Sequence, residues 1–176
     1  MADELKVKQS VIRLIKGDII DLQVEAFVYY ARPDLVLGSG FGGAIAARGG
    51  PKIQEELKKL GTVQTTDAVV TSGGNLEARY IIHAVGPRFQ EENLEEKLRS
   101  TMLNALRRAE ENGVQSLAFP AMGAGFYGIP PDVCARETFG AVKKYLENPT
   151  GLREIIFCLI DSRELKPFQD QIKKLP

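Results

Sequence analysis

The sequence is poor in histidine, cysteine and tryptophan, and it has no excess of charge of either sign. Its 176 residues include one histidine, His83, two cysteines, Cys134 and Cys158, and no tryptophan. A zinc site of the usual Cys/His kind needs about four such ligands, so no metal site is expected. Neither cysteine belongs to a C-x-x-C pair and both lie in apolar segments, which predicts free structural thiols in a reducing compartment. Lysine plus arginine and aspartate plus glutamate number 23 each, so the formal net charge is zero. Proteins that grip nucleic acid through many phosphates carry a basic excess, so no nucleic-acid partner is expected. Residues 1–9 are polar and mixed in charge, unlike a secretory signal. No apolar run approaches the length of a membrane span. The expectation is a cytoplasmic protein with no membrane partner; the sequence carries no sign of its oligomeric state.

What is present is an ordinary globular composition, 44% hydrophobic and 26% charged, on a chain long enough for a sizeable core. Six short apolar runs predict strands at residues 11–15, 26–30, 68–71, 80–85, 116–119 and 155–160. Several are continuous in β-branched and aromatic residues, the pattern of strands covered on both faces. Pro51 suits the first position of a helix over 52–60, with Gly61 as its C-terminal cap. Asn93 and Glu96 have capping-box spacing ahead of an apolar stripe of Leu94, Leu98, Met102, Ala105 and Ala109, and Gly113 ends that helix. Pro130 and Pro131 open another, broken after Glu147 by Asn148-Pro149, and a last helix covers 165–174. Strands alternating with helices predict one α/β domain over 1–176 with a largely parallel sheet.

Two loops share one design. Gly38-Ser39-Gly40-Phe41-Gly42-Gly43 leads into Ala44-Ile45-Ala46-Ala47, and Gly123-Ala124-Gly125-Phe126-Tyr127-Gly128 leads toward the helix at Pro130. Each satisfies G-x-G-x-x-G. Glycine permits positive φ, so successive N–H groups can turn into one concavity and hold an anion. A helix N-terminus behind adds its dipole and unpaired donors. One such match also fits a plain tight turn. Two of them at the carboxyl edge of one sheet suit a diphosphate. A Rossmann site is excluded by its own rules: seven residues, 31–37, separate strand from loop, and residues near 60 form a helix end where an acidic strand tip is required.

In order, Lys16-Gly17-Asp18-Ile19, the loop from Gly38 to Ala47, the stretch from Asn75 to Pro87, and Leu117-Ala118-Phe119-Pro120-Ala121-Met122-Gly123 resemble a macro domain, the ADP-ribose-binding module, over residues 11–161. The resemblance implies a three-layer α/β/α sandwich with a mixed, largely parallel six-stranded sheet and a cleft across its top. It implies that Asp18 accepts from the adenine amino group, assisted by the Ile19 N–H. It further implies that the first loop (Gly38, Ser39, Gly40, Phe41, Gly42, Gly43) holds one phosphate and that the second (Gly123, Ala124, Gly125, Phe126, Tyr127) holds the other, with Gly125, Phe126 and Tyr127 wrapping the distal ribose. No cofactor is implied. His83, inside Ile81-Ile82-His83-Ala84-Val85, is expected to be a satisfied structural histidine.

The chain departs from the family at its reactive end. Hydrolytic members commonly carry Asn-Ala-Ala-Asn after the second strand; here the stretch is Tyr29-Tyr30-Ala31-Arg32, which puts Tyr30 and Arg32 beside the ligand. An aspartate that follows the first loop's glycines in the best-known hydrolases is replaced by Gly42. Ile160 stands where many relatives stack an aromatic on the base, which removes about 0.5–1.5 kcal/mol of ring-pair energy. Two readings of Arg32 stay open: a charge-assisted donor to a phosphate or carboxylate, or a surface residue before the Pro33-Asp34 turn. Asp34 is the one nearby carboxylate able to serve a water as general base. Three functions remain. One is a binder of ADP-ribose, free or on an ADP-ribosylated protein. Another is an ADP-ribosyl hydrolase or O-acetyl-ADP-ribose deacetylase with non-standard catalytic residues. The last is a cleft shifted to another nucleotide.

Overall fold

Strands this apolar cannot leave either face of their sheet in water, and the structure covers both. The computed structural model describes residues 3–174; Met1 and Ala2, which open the stretch read as unlike a signal, and Leu175 and Pro176 lie outside the described residues. Strands β1 (Glu4–Val7), β2 (Ser10–Lys16), β3 (Ala26–Tyr30), β4 (Ala68–Ser72), β5 (Tyr80–Ala84), β6 (Ser116–Phe119) and β7 (Glu154–Leu159) form a seven-stranded sheet in the order β1-β2-β7-β6-β3-β5-β4. From β2 to β5 all neighbours are parallel, and the edge strands β1 and β4 are antiparallel. Helices α1 (Gly40–Gly49) and α2 (Pro51–Leu60) cover one face. On the other lie α3 (Leu94–Glu111), α4 (Pro131–Leu146) and α5 (Ser162–Lys173). This is the expected α/β/α sandwich. Along α3 the stripe of Leu98, Met102, Ala105 and Ala109 is wholly buried, and each large side chain so buried contributes about 1.5–3 kcal/mol.

Three local expectations are corrected. The sheet has seven strands, not six, because Glu4–Val7 pairs back onto β2 through a two-residue turn at Lys8 and Gln9. Lys8 takes φ 56 there, without the Asn-Gly or Asp-Gly that announces such turns. Asn93 does not cap α3 with its side chain: it sits in the left-handed region at φ 57, and only its carbonyl accepts, from Lys97 N–H. The last helix starts three residues early. Asp161 caps it, accepting from Arg163 N–H at 3.0 Å and Glu164 N–H at 3.2 Å. Glu164 returns a bond to Ile160 N–H at 2.9 Å, close to a capping box. No described helix is long and apolar enough to cross a membrane.

His83 is buried as expected, but only half satisfied. Its Nε2 lies 2.9 Å from Thr71 Oγ1, whereas Nδ1 has no partner among the described residues. Burial lowers its pKa from 6.5 to about 4, against an opposing pull from Glu56. The folded state therefore holds neutral imidazole, while the unfolded chain takes up a proton below pH 6.5. Stability from this group is full above pH 6.5 and is lost as pH falls toward 4, on the order of 2–4 kcal/mol in all. Urea unfolding at pH 7.5 and 4.5 should show that loss, and His83→Gln should flatten it. An equal acid loss in the variant would assign the effect to other groups.

Candidate functional site

The carboxyl ends of β2, β3, β6 and β7 lie on one edge, and there a cavity of about 830 Å³ opens between the two glycine loops. The last two residues of β3 hold up its walls. Tyr29 and Tyr30 point to opposite faces, as successive strand residues must. Tyr29 stands under the first loop: its hydroxyl donates to Leu37 O at 3.2 Å, and its ring meets Phe41 edge-on at 5.1 Å. Phe41 stacks on Phe27 at 6.1 Å, which anchors the first turn of α1. Tyr30 stands under the second loop, its ring 4.7 Å from that of Tyr127 and its hydroxyl donating to Pro87 O. Burial pushes the Tyr30 phenol pKa far above its ordinary value. Tyr29, in place of the first asparagine, and Tyr30, in place of the alanine that follows it, are thus pillars for the two loops.

The first loop is partly helix. Gly40, Phe41, Gly42 and Gly43 form the opening turn of α1, with Ser39 at its N-cap making no side-chain cap bond. The N–H of Gly43 is used by Ser39 O at 3.2 Å, so Gly43 has no amide to offer and does not line the cavity, contrary to expectation. The N–H groups of Gly40, Phe41 and Gly42 have no protein acceptor among the described residues. Gly42 is required sterically: a Cβ there would sit 1.8 Å from Leu37 O and 2.5 Å from the Tyr29 hydroxyl.

In the second loop no long helix follows directly. A 3-10 turn, Gly125–Tyr127, intervenes, and α4 begins at Pro131. Ala124 N–H is engaged by Ala121 O at 3.2 Å. The N–H groups of Gly125, Phe126 and Tyr127 have no protein acceptor among the described residues. Gly123, Ala124, Phe126 and Tyr127 line the cavity, while Gly125 contributes no lining. Phe126 is 87% exposed and Ile160 is 75% exposed, so both form apolar lips without packing into the core.

Opposite the amides the cavity is acidic. Asp18 accepts from Ile20 N–H at 3.0 Å, capping a 3-10 turn, and the neighbouring Ile19 N–H has no acceptor among the described residues. Glu164 and Cys158 also line this end. Burial, then the charges of Asp18, Glu164 and Asp21, push the Cys158 thiol up to about 11. It is an inert floor, not a nucleophile. Tyr29, Cys158 and Glu164 are among the lining residues that no motif in the sequence singles out as site residues; the Asp161-x-x-Glu164 spacing is the one signal that points to Glu164.

Arg32 and Asp34 come together, but not as a catalytic pair. Arg32 lines the cavity and holds Asp34 Oδ2 at 2.7 Å. Asp34 does not line it, and its other oxygen accepts from Val36 N–H at 3.0 Å. The Val36 bond and the Arg32 charge keep the Asp34 carboxyl below its usual range. A carboxylate stabilised in this way is a poor base. No cluster of three metal-ligating side chains occurs among the described residues.

Residues 31–138 match the family model of the macro domain. A macro domain-containing protein of Caldanaerobacter subterraneus subsp. tengcongensis is 40% identical over 170 residues, 93% of this chain and 97% of that one. The Oceanobacillus iheyensis macrodomain with ADP superposes at a TM-score of 0.93 with 25% identity, covering 98% of this chain and 95% of the other. The Trypanosoma brucei macrodomain in complex with ADP-ribose gives a TM-score of 0.86 with 31% identity, over 92% and 68% of the two chains. By the match to its family model, by these relatives and by its fold, the chain belongs to the macro domain family.

Proposed function

We propose that the chain binds ADP-ribose, free or carried on a modified protein, across the carboxyl edge of the sheet. The observation that carries this reading is the pairing of two turns, each with three unengaged N–H groups, across one cavity with an acidic far end. Amides freed at a helix start and at a tight turn favour the pyrophosphate. Asp18 and the Ile19 N–H suit the donor and acceptor edge of adenine. Tyr127, Phe126 and Arg32 receive the distal ribose. The solved complexes of relatives with ADP and ADP-ribose support the same assignment. Binding without hydrolysis is favoured by Asp34, whose oxygens are already engaged.

Calorimetry at neutral pH should give a micromolar dissociation constant for ADP-ribose, on the order of −8 kcal/mol. NAD should bind at least about tenfold more weakly, because its cationic nicotinamide must sit beside Arg32 and Tyr127. Absence of both heat and thermal shift at millimolar ADP-ribose would refute the reading. Release of ADP-ribose from a modified protein would restore the hydrolase alternative.

A further inference from the structure

Two carboxylates, Asp18 and Glu164, line one end of the cavity, and α1 sends one guanidinium to Asp18 and to the nearby Asp21. Arg48, in the last turn of α1, places Nη1 3.3 Å from Asp18 Oδ2 and donates from Nη2 to Asp21 Oδ1 in a short hydrogen bond. Arg163, at the same edge, is turned instead to Asp161, with Nη2 2.9 Å from Oδ2. Asp18 Oδ1 is already held by Ile20 N–H at 3.0 Å. Arg48 therefore supplies the second fixed point, and two points set the plane of a carboxylate. Arg48 itself does not line the cavity. Any effect it has on a ligand passes through Asp18.

We propose that Arg48 is the positioning residue for base selection: forked between Asp18 and Asp21, it fixes Asp18 as an acceptor for the exocyclic amine of a 6-aminopurine. This rests on the reading of Asp18 as the adenine contact. A rigid anionic acceptor attracts an amino donor and repels the carbonyl of a 6-oxopurine. A carboxylate free to rotate still finds the amine, but it swings away from the carbonyl, so discrimination narrows. Without Arg48, repulsion from Asp21 also pushes Asp18 out of place. A planar guanidinium serves both carboxylates at once, which a lysine ammonium does less well.

The test is the ratio of dissociation constants for ADP and inosine diphosphate in the full chain, in Arg48→Ala, in Arg48→Lys and in Asp18→Ala. A general loss of folding or of diphosphate binding lowers both affinities together and leaves the ratio unmoved. The wild type should prefer ADP. Arg48→Ala should narrow that preference by about threefold to fivefold, the range open to a half-exposed ion pair. Arg48→Lys should win back part of the loss, at least doubling the ratio found for Arg48→Ala. An unchanged ratio in Arg48→Ala, or no recovery in Arg48→Lys, overturns the proposal. A wild-type ratio in Asp18→Ala is a different failure: the aspartate is then not at the base.

Discussion

Gly42→Asp is expected to weaken ADP-ribose binding by between about tenfold and a hundredfold, and to confer no hydrolysis. The substitution restores the residue type found after the first loop's glycines in the best-known hydrolases, so the naive outcome is a gain of activity. The geometry opposes it. A Cβ at this position would fall 1.8 Å from Leu37 O, a backbone atom, and 2.5 Å from the hydroxyl of Tyr29, a buried pillar. Neither can give way like the tip of a flexible side chain. Overpacking of this kind costs about 1–3 kcal/mol. Relief requires moving the turn whose amides the ligand needs, and the new carboxylate would repel the phosphates as well. Calorimetry and a release assay on ADP-ribosylated protein check both halves. Wild-type affinity, or turnover, would mean that residues 32–38 re-route at little cost.

Phe157→Ala should produce the largest loss of stability, about 3–5 kcal/mol, seen as a fall of roughly 6–20 °C in the thermal midpoint. Phe157 lies on β7 between Leu14 of β2 and Phe119 of β6. Its ring packs 5.7 Å from that of Phe119, 6.0 Å from Phe139 on α4 and 4.7 Å from Phe168 on α5. One side chain thus joins the sheet to two helices, and its removal leaves a cavity bounded by secondary structure that cannot collapse into it. Phe126→Ala is the contrast: an aromatic of equal size, 87% exposed, should change the midpoint little. Equal shifts in the two variants would contradict this account of the core.

The parts legible in the sequence were those set by a local pattern. The wholly buried run of β3 and the apolar stripe of α3 announce themselves, because their periods of burial are written in consecutive residues. The edge strand β1 was missed: its Glu4 and Lys6 face water, as suits an unpaired edge, and its turn lacks glycine. Capping misled for a related reason. Asn93-x-x-Glu96 and Asp161-x-x-Glu164 have the same spacing, but only backbone geometry decides which side chain meets the amides. At the site, the glycine positions could be read, since free amides need particular φ values. The pillar roles of Tyr29 and Tyr30 could not, because they depend on Leu37 and Pro87 arriving from elsewhere in the chain.

If amides of two separate turns meet one pyrophosphate, an NMR titration of the amide resonances with ADP-ribose will show it. The signals of Gly40, Phe41 and Gly42 and those of Gly125, Phe126 and Tyr127 should move together, at one common midpoint. Movement of only one group, or of residues such as Lys8 and Thr150 around the separate hollow beside β2, would contradict it.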